Sequence, residues 1–142
     1  MQYWLVKSEP EDYSIEMFEQ EKSTIWTGVR NYTARNNLSM MKEGDLCLFY
    51  RSVVSPAAMG IVKVTKEFFQ DPTTDEKAWV SVELSYVSTF NQPVSLKLIK
   101  QTPSLEKMTL LRISRLSVQP VLPSEFEQIV ELGNKVTDKN GK

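Results

Sequence analysis

The 142-residue sequence has no histidine, one cysteine and only five glycines. Without histidine the commonest general base and metal ligand is missing, and with it every His-based catalytic triad. A single cysteine, Cys47, allows no disulfide framework and no paired-cysteine zinc site, so neither a metal nor another cofactor is expected. Five Gly and seven Pro are too few for a collagenous or low-complexity chain. No apolar run comes near the ~20 residues that cross a bilayer. The opening Met1-Gln2-Tyr3-Trp4-Leu5-Val6-Lys7 carries no basic stretch followed by a long apolar one, so no secretory signal is expected and the cytoplasm is the default address.

What is present is a core. With 41% hydrophobic and 25% charged residues, the chain can bury one sizeable core and is too short for two ordinary domains. A single domain over 1–133 followed by a flexible tail over 134–142 is expected, since only Val136 offers apolar support there.

The net charge of −1 hides an alternation. Residues 1–21 hold one Lys against six acids, whereas 22–66 hold seven Lys or Arg against two acids. Residues 67–96 are again acidic, at −4, and 97–115 basic, at +4. Charges of both signs commonly just solvate a surface. Alternatively, the two basic segments converge in the fold and make a local phosphate-binding face on a nearly neutral protein.

Periodicity divides the chain into short elements. Tyr3–Val6 is aromatic and β-branched and predicts a strand, followed by the polar loop Lys7–Asp12. Ser14 can cap a helix over Ile15 to Gln20, and Asn31 one over Tyr32 to Met41. Between them Thr24–Gly28 is extended and breaks at Gly28. Leu46–Tyr50, Gly60–Lys66 and Trp79–Val87 predict three further strands, the last two alternating as in a sheet with one wet face. Ser52–Met59 is expected as a loop and Asp71–Thr74 as a turn. Helical turns are expected within Pro93–Gln101 and Ser104–Leu111. Leu116–Val121 predicts a strand that Pro120 confines to an edge. Ser124-Glu125-Phe126-Glu127 suggests a capping box opening a helix that stops at Gly133. Five or six strands punctuated by short helices, without regular βαβ alternation, predict an α+β fold: a small barrel or curled mixed sheet. Cys47, inside an apolar strand, is expected in the core.

Four separated stretches carry more information. Tyr3-Trp4-Leu5-Val6-Lys7-Ser8-Glu9-Pro10, Trp26-Thr27-Gly28-Val29-Arg30-Asn31-Tyr32-Thr33-Ala34-Arg35-Asn36, Phe49-Tyr50-Arg51-Ser52 followed by Gly60-Ile61, and Arg115-Leu116-Ser117-Val118-Gln119-Pro120-Val121 closely resemble the EVE domain family, in order and from about Tyr3 to Leu132. The resemblance implies a PUA-like fold, a curled mixed β-barrel flanked by short helices and similar to the YTH domain. It also implies a binding module and not an enzyme: a reader of modified bases, chiefly modified cytosines, in DNA or RNA. One position departs from the pattern. Where many relatives have Phe-Tyr-His-Ser, this chain has Arg51, which is always charged and bidentate where a histidine titrates and stacks.

A reader of one extruded base needs a flat apolar wall, hydrogen-bonding groups at the base edge and cations for the flanking phosphates. The resemblance to the YTH domain puts Trp26 at that domain's cage tryptophan and Lys7-Ser8 at its Lys-Ser pair. Trp26, Thr27, Gly28, Val29, Asn31, Lys7, Ser8, Tyr50 and Ser52 are therefore the expected ligand-binding residues, with Arg30, Arg35, Arg51 and Arg115 on the nucleic-acid backbone. On residue type alone Trp26 suits a core better than a pocket. Trp4 and Trp79 are assigned to the core. Strand alternation pairs Tyr50 with Ser52 and Phe49 with Arg51, and only one pair can face the pocket. Phe68 and Phe69 are candidates for a second aromatic wall or for the core.

Two other classes remain open. A small PUA-like hydrolase could use Lys7, Ser8 and Glu9, although neighbours in an extended strand point to opposite faces, so Lys7 cannot easily activate Ser8. A protein-interaction domain would be favoured if the two basic segments lay on opposite faces.

Overall fold

The computed structural model describes residues 1–135. Six strands form one mixed sheet: β1 (Tyr3–Ser8), β2 (Ser23–Ile25), β3 (Leu46–Arg51), β4 (Ala57–Gln70), β5 (Val80–Ser95) and β6 (Val118–Val121). The helices are α1 (Ile15–Glu21), α2 (Tyr32–Met40), α3 (Leu96–Gln101), α4 (Thr109–Arg112) and α5 (Pro123–Gly133), with a 3-10 turn at Pro103–Leu105.

The sheet order is β2-β5-β4-β3-β1-β6, with β2 and β6 at its edges, and among the described residues the sheet does not close into a barrel. Only β1 and β3 run parallel; every other pair is antiparallel. Pro120 lies in the edge strand β6, where its missing N–H costs no ladder bond to an outer neighbour.

Alternation sorts the core onto two faces. Trp4, Val6, Cys47 and Phe49 face α1 and α2, where they meet Phe18, Trp26, Ala34 and Leu38. Leu5, Leu48 and Tyr50 face the other way, toward Ile99, Leu105, Leu110, Phe126 and Ile129. In β4 and β5 the alternation changes phase. Ala57 and Met59 share a face with Val62 and Val64, while Ala58 and Ile61 lie opposite. Register shifts between Ala58 and Gly60 and between Ile61 and Val62 supply the extra residue, as a β-bulge does. A Cβ on Gly60 would collide with the Ser88 carbonyl oxygen, so only glycine allows the two strands this close.

Ser14 and Asn31 cap α1 and α2 as expected, their side-chain oxygens accepting from the Met17 and Ala34 N–H groups. Several boundaries differ from the sequence reading. Lys7 and Ser8 continue β1 because they pair with Tyr50 and Arg51 of β3. β4 begins at Ala57 and β5 runs to Ser95, because each long strand supplies the other's partners across its bulges. Helix α5 starts at Pro123, the favoured first position, and its cap is Glu125 reaching back to the Leu122 N–H at 2.9 Å, so Ser124 is not the cap. The expected tail over 134–142 lies almost wholly outside the described residues.

Candidate functional site

A cavity of about 950 Å³ opens where β1 and β3 end, on the α1 and α2 side of the sheet. Four separate parts of the chain line it: Lys7-Ser8-Glu9, Thr24 to Arg30, Ser52-Val53, and Ser114-Arg115 with Ser117. Asp12 and Tyr13 complete the wall.

Trp26 belongs to both the core and the cavity. It is 9% exposed, its ring packs near Phe18, Phe49 and Tyr13 with centroids 6.1–6.4 Å apart, and it also borders the open space. Its backbone N–H donates to the Val82 carbonyl, which ties the segment following β2 to β5. Around the tryptophan stand the hydroxyl residues Ser8, Thr24, Thr27, Ser52, Ser114 and Ser117.

The Thr27-Gly28-Val29-Arg30 turn is held by one carboxylate that the sequence reading did not single out. Asp71 is 0% exposed and accepts from the Gly28 N–H at 2.8 Å, from Arg30 Nη1 at 2.9 Å, and from the backbone and hydroxyl of Thr73. Burial alone would raise its pKa. The bonds from the Thr73 hydroxyl, the Gly28 and Thr73 N–H groups and the Arg30 guanidinium outweigh that and hold the carboxyl well below the usual range. Gly28 has φ 84°, a backbone state natural to glycine. The Asp71–Thr73 contact is a local turn signal, but the bonds to Gly28 and Arg30 cross more than 40 residues and leave no mark in the sequence.

Lys7 and Ser8 leave adjacent positions on opposite sides of β1, yet both reach the cavity because it sits at the strand's end. The Lys7 ammonium donates to the Ser114 carbonyl and lies 5.8 Å from the centre of the Tyr50 ring; burial lowers its pKa. The Ser8 hydroxyl donates to the Tyr13 carbonyl at 2.8 Å. The Ser8 carbonyl accepts from the Ser52 N–H at 2.9 Å, which joins the end of β1 to the loop after β3.

Other expected site residues fall elsewhere. Tyr50 is buried in the opposite core and does not line the cavity; its neighbour Phe49 packs against Trp26 instead. Ser52 does line it, because β3 ends at Arg51 and strict alternation ends with it. Asn31 spends its side-chain oxygen on the α2 cap and lies outside the cavity lining. Arg35 donates to the Ala78 carbonyl and sits over Tyr32, and Arg51 donates twice to the Ser55 carbonyl; neither lines the cavity. Arg30 lines it while paired with Asp71 and placed 5.7 Å from the Trp79 ring. Trp79 is buried, as expected, but beside Arg30 and Tyr32 and outside the two main clusters. Arg115 lines the cavity, is exposed, and has no hydrogen bond or ion pair among the described residues. Thus one arginine from each basic segment reaches the same opening. Phe68 is exposed and neither it nor Phe69 reaches the opening, where Tyr13 supplies the further aromatic surface.

The sequence pattern of the EVE domain matches residues 2–132. This chain belongs to the EVE domain family. Mouse thymocyte nuclear protein 1 is 35% identical over 92% of the chain and 73% of its own length. The EVE fold seen here superposes on human THYN1, solved in complex with DNA containing 5-methylcytosine, with a TM-score of 0.88, at 30% identity over 96% of this chain and 99% of that one. A YTH domain from Zygosaccharomyces rouxii, solved with N6-methyladenosine RNA, matches with a TM-score of 0.62 over 97% of this chain and 87% of that one. At 13% identity this likeness concerns the fold alone.

Proposed function

We propose that this EVE domain reads a modified base, with a modified cytosine the first choice, by taking it into the cavity over Trp26. The observation that carries the reading is convergence. Stretches spread from Lys7 to Ser117 contribute to one opening that combines an aromatic floor, a ring of hydroxyls and two arginines. The volume is within the range of small-ligand pockets, about 300–1,000 Å³. Hydroxyls can both donate and accept at a base edge, and the ring face of Trp26 offers stacking that tolerates any base. The presence of 5-methylcytosine DNA in the human THYN1 complex supports choosing cytosine first.

The same geometry argues for binding without chemistry. The Ser8 hydroxyl is engaged with a backbone carbonyl and the Lys7 ammonium with another, so neither is poised against a partner that would activate it. Cys47 is fully buried, and burial with the nearby Asp45 charge pushes its thiol pKa up, away from a reactive thiolate.

The test is a binding screen of the purified protein against matched single-stranded and duplex oligonucleotides, each with one modified base. A clear preference for one modified cytosine, reduced in Trp26→Phe, is the expected result. Equal affinity for all strands, or hydrolysis of an oligonucleotide that disappears in Ser8→Ala, would overturn it.

A further inference from the structure

The loop that closes the cavity between β3 and β4 has an unusual backbone. The Val54 N–H donates to the Ser52 carbonyl at 2.8 Å, and the residue between them, Val53, has φ 72°. This is a γ-turn with a positive central φ, a rare and strained form, and it is occupied by a β-branched residue, for which positive φ is a real outlier. Ser55 follows at φ 46°. The strained turn is held at both ends. The Ser52 N–H donates to the Ser8 carbonyl, and the Arg51 guanidinium donates through Nε and Nη2 to the Ser55 carbonyl at 3.1 and 3.0 Å. Arg51 thereby clamps its own loop from strand end to strand start.

The clamped turn presents apolar side chains to solvent. Val53 is 69% exposed and Val54 57% exposed, and Val53 borders the same cavity as Trp26. Burial cannot account for side chains held outward, and a glycine would occupy the turn without strain. Backbone strain kept beside a binding cavity points to a use for the side chain it aims.

We propose that Val53 and Val54 form a wedge that enters the base stack of a DNA duplex and fills the gap left when the target base moves into the cavity. The inference rests on the reading of the cavity as a base pocket and adds how a base reaches it from a duplex. Extrusion costs unstacking and unpairing, and apolar side chains inserted between base steps are a general means of offsetting that cost. The rigid clamp matters because a wedge that folded away on contact would separate nothing. A single strand has no stack to open, so the wedge predicts a penalty confined to duplex substrates.

The experiment uses one DNA sequence with a single 5-methylcytosine, as single strand and as duplex, with 2-aminopurine next to the methylated base. Proteins compared are wild type, Val53→Gly and Val54→Ser, each with a melting temperature measured. Val53→Gly relieves the positive-φ strain, so its fold should be at least as stable as wild type. The expected result is that wild type raises 2-aminopurine fluorescence in the duplex. Both variants should lose this signal and bind the duplex about tenfold or more weakly, a difference of ~1.4 kcal/mol or more, and Val54→Ser, whose side chain lies outside the cavity lining, should keep its single-strand affinity within about twofold. Variants that keep duplex affinity and fluorescence, or a Val54→Ser protein that loses single-strand and duplex affinity in parallel, overturn the wedge. A wild type that prefers the methylated single strand without a fluorescence change in the duplex overturns the wedge and leaves the pocket standing. A wild type indifferent to methylation in both forms overturns the pocket and the wedge together.

Discussion

The two faces of the sheet are built from alternate residues of the same strands, and they do different work. The α1 and α2 face holds Trp4, Phe18, Trp26 and Phe49, with Tyr13 and Tyr86 packed at its margin. The opposite face, with Leu5, Leu48, Ile99, Leu105 and Ile129 under α3, the 3-10 turn, α4 and α5, has rings of its own in Tyr50, Phe90 and Phe126, and Tyr3 stacks on Phe126 at 4.4 Å between centroids. What sets the α1 and α2 face apart is a connected set of rings, Tyr13, Phe18, Trp26 and Phe49, in which Trp26 also borders the cavity. A binding surface therefore grows from the connected rings of one core without separate construction, while the other core backs the same strands from behind.

The largest effect should come from Trp26→Ala, which removes a ring in contact with three others and should cost about 3–5 kcal/mol of stability together with base discrimination. Ile129→Ala should cost about 2–5 kcal/mol on the other face and leave affinity for oligonucleotides unchanged at temperatures where it is folded. Denaturant titration paired with binding checks both. If Ile129→Ala changes base preference, the division of labour between the faces fails.

Asp71→Asn comes next and is best read through pH. Because the folded carboxyl titrates below its ordinary value, the stability it contributes is present above about pH 4 and is lost as pH falls below that. Wild type should therefore lose stability on acidification from about pH 4 downward, and Asp71→Asn should flatten that part of the profile. Urea midpoints between pH 2 and 5 measure it; superposable profiles would mean that Asp71 does not anchor the turn.

Gly28→Ala is a smaller change. No atom lies within 4 Å of where its Cβ would stand, so the cost is the backbone's alone, about 1–2 kcal/mol at φ 84°. A larger loss in thermal unfolding would reveal a packing role. Arg115→Ala should alter stability by less than ~0.5 kcal/mol, since the side chain is exposed and unpaired among the described residues. It should lower the log-log salt slope of nucleic-acid binding by about 0.7–0.9, and an unchanged slope would move the phosphate track away from this arginine.

Much of the fold was legible because its local signals agree with its tertiary contacts. Caps at Ser14 and Asn31, the continuous apolar run of β3 and the proline in β6 each have a short-range cause. The lengths of β4 and β5 were not legible, since bulges shift the side-chain period and partner strands determine where pairing stops. At the site, Trp26, Gly28 and Ser8 could be named from motif, whereas Tyr50 went to the wrong face because the strand's end, which frees Ser52 to turn inward, has no local signature. The Asp71 bond to Gly28 and the Arg51 clamp end on backbone groups, and a backbone group has no identity in a sequence.

The three tryptophans occupy three distinct surroundings, which gives the molecule a built-in optical reporter. Trp4 is buried with its indole N–H on Asp45 at 3.0 Å, and Trp79 is held by Glu76 at 3.0 Å beside Tyr32. Trp26 alone of the three borders the cavity. A base stacking there would quench one emitter of three while the other two serve as an internal standard, so occupancy can be followed by intrinsic fluorescence on unlabelled protein.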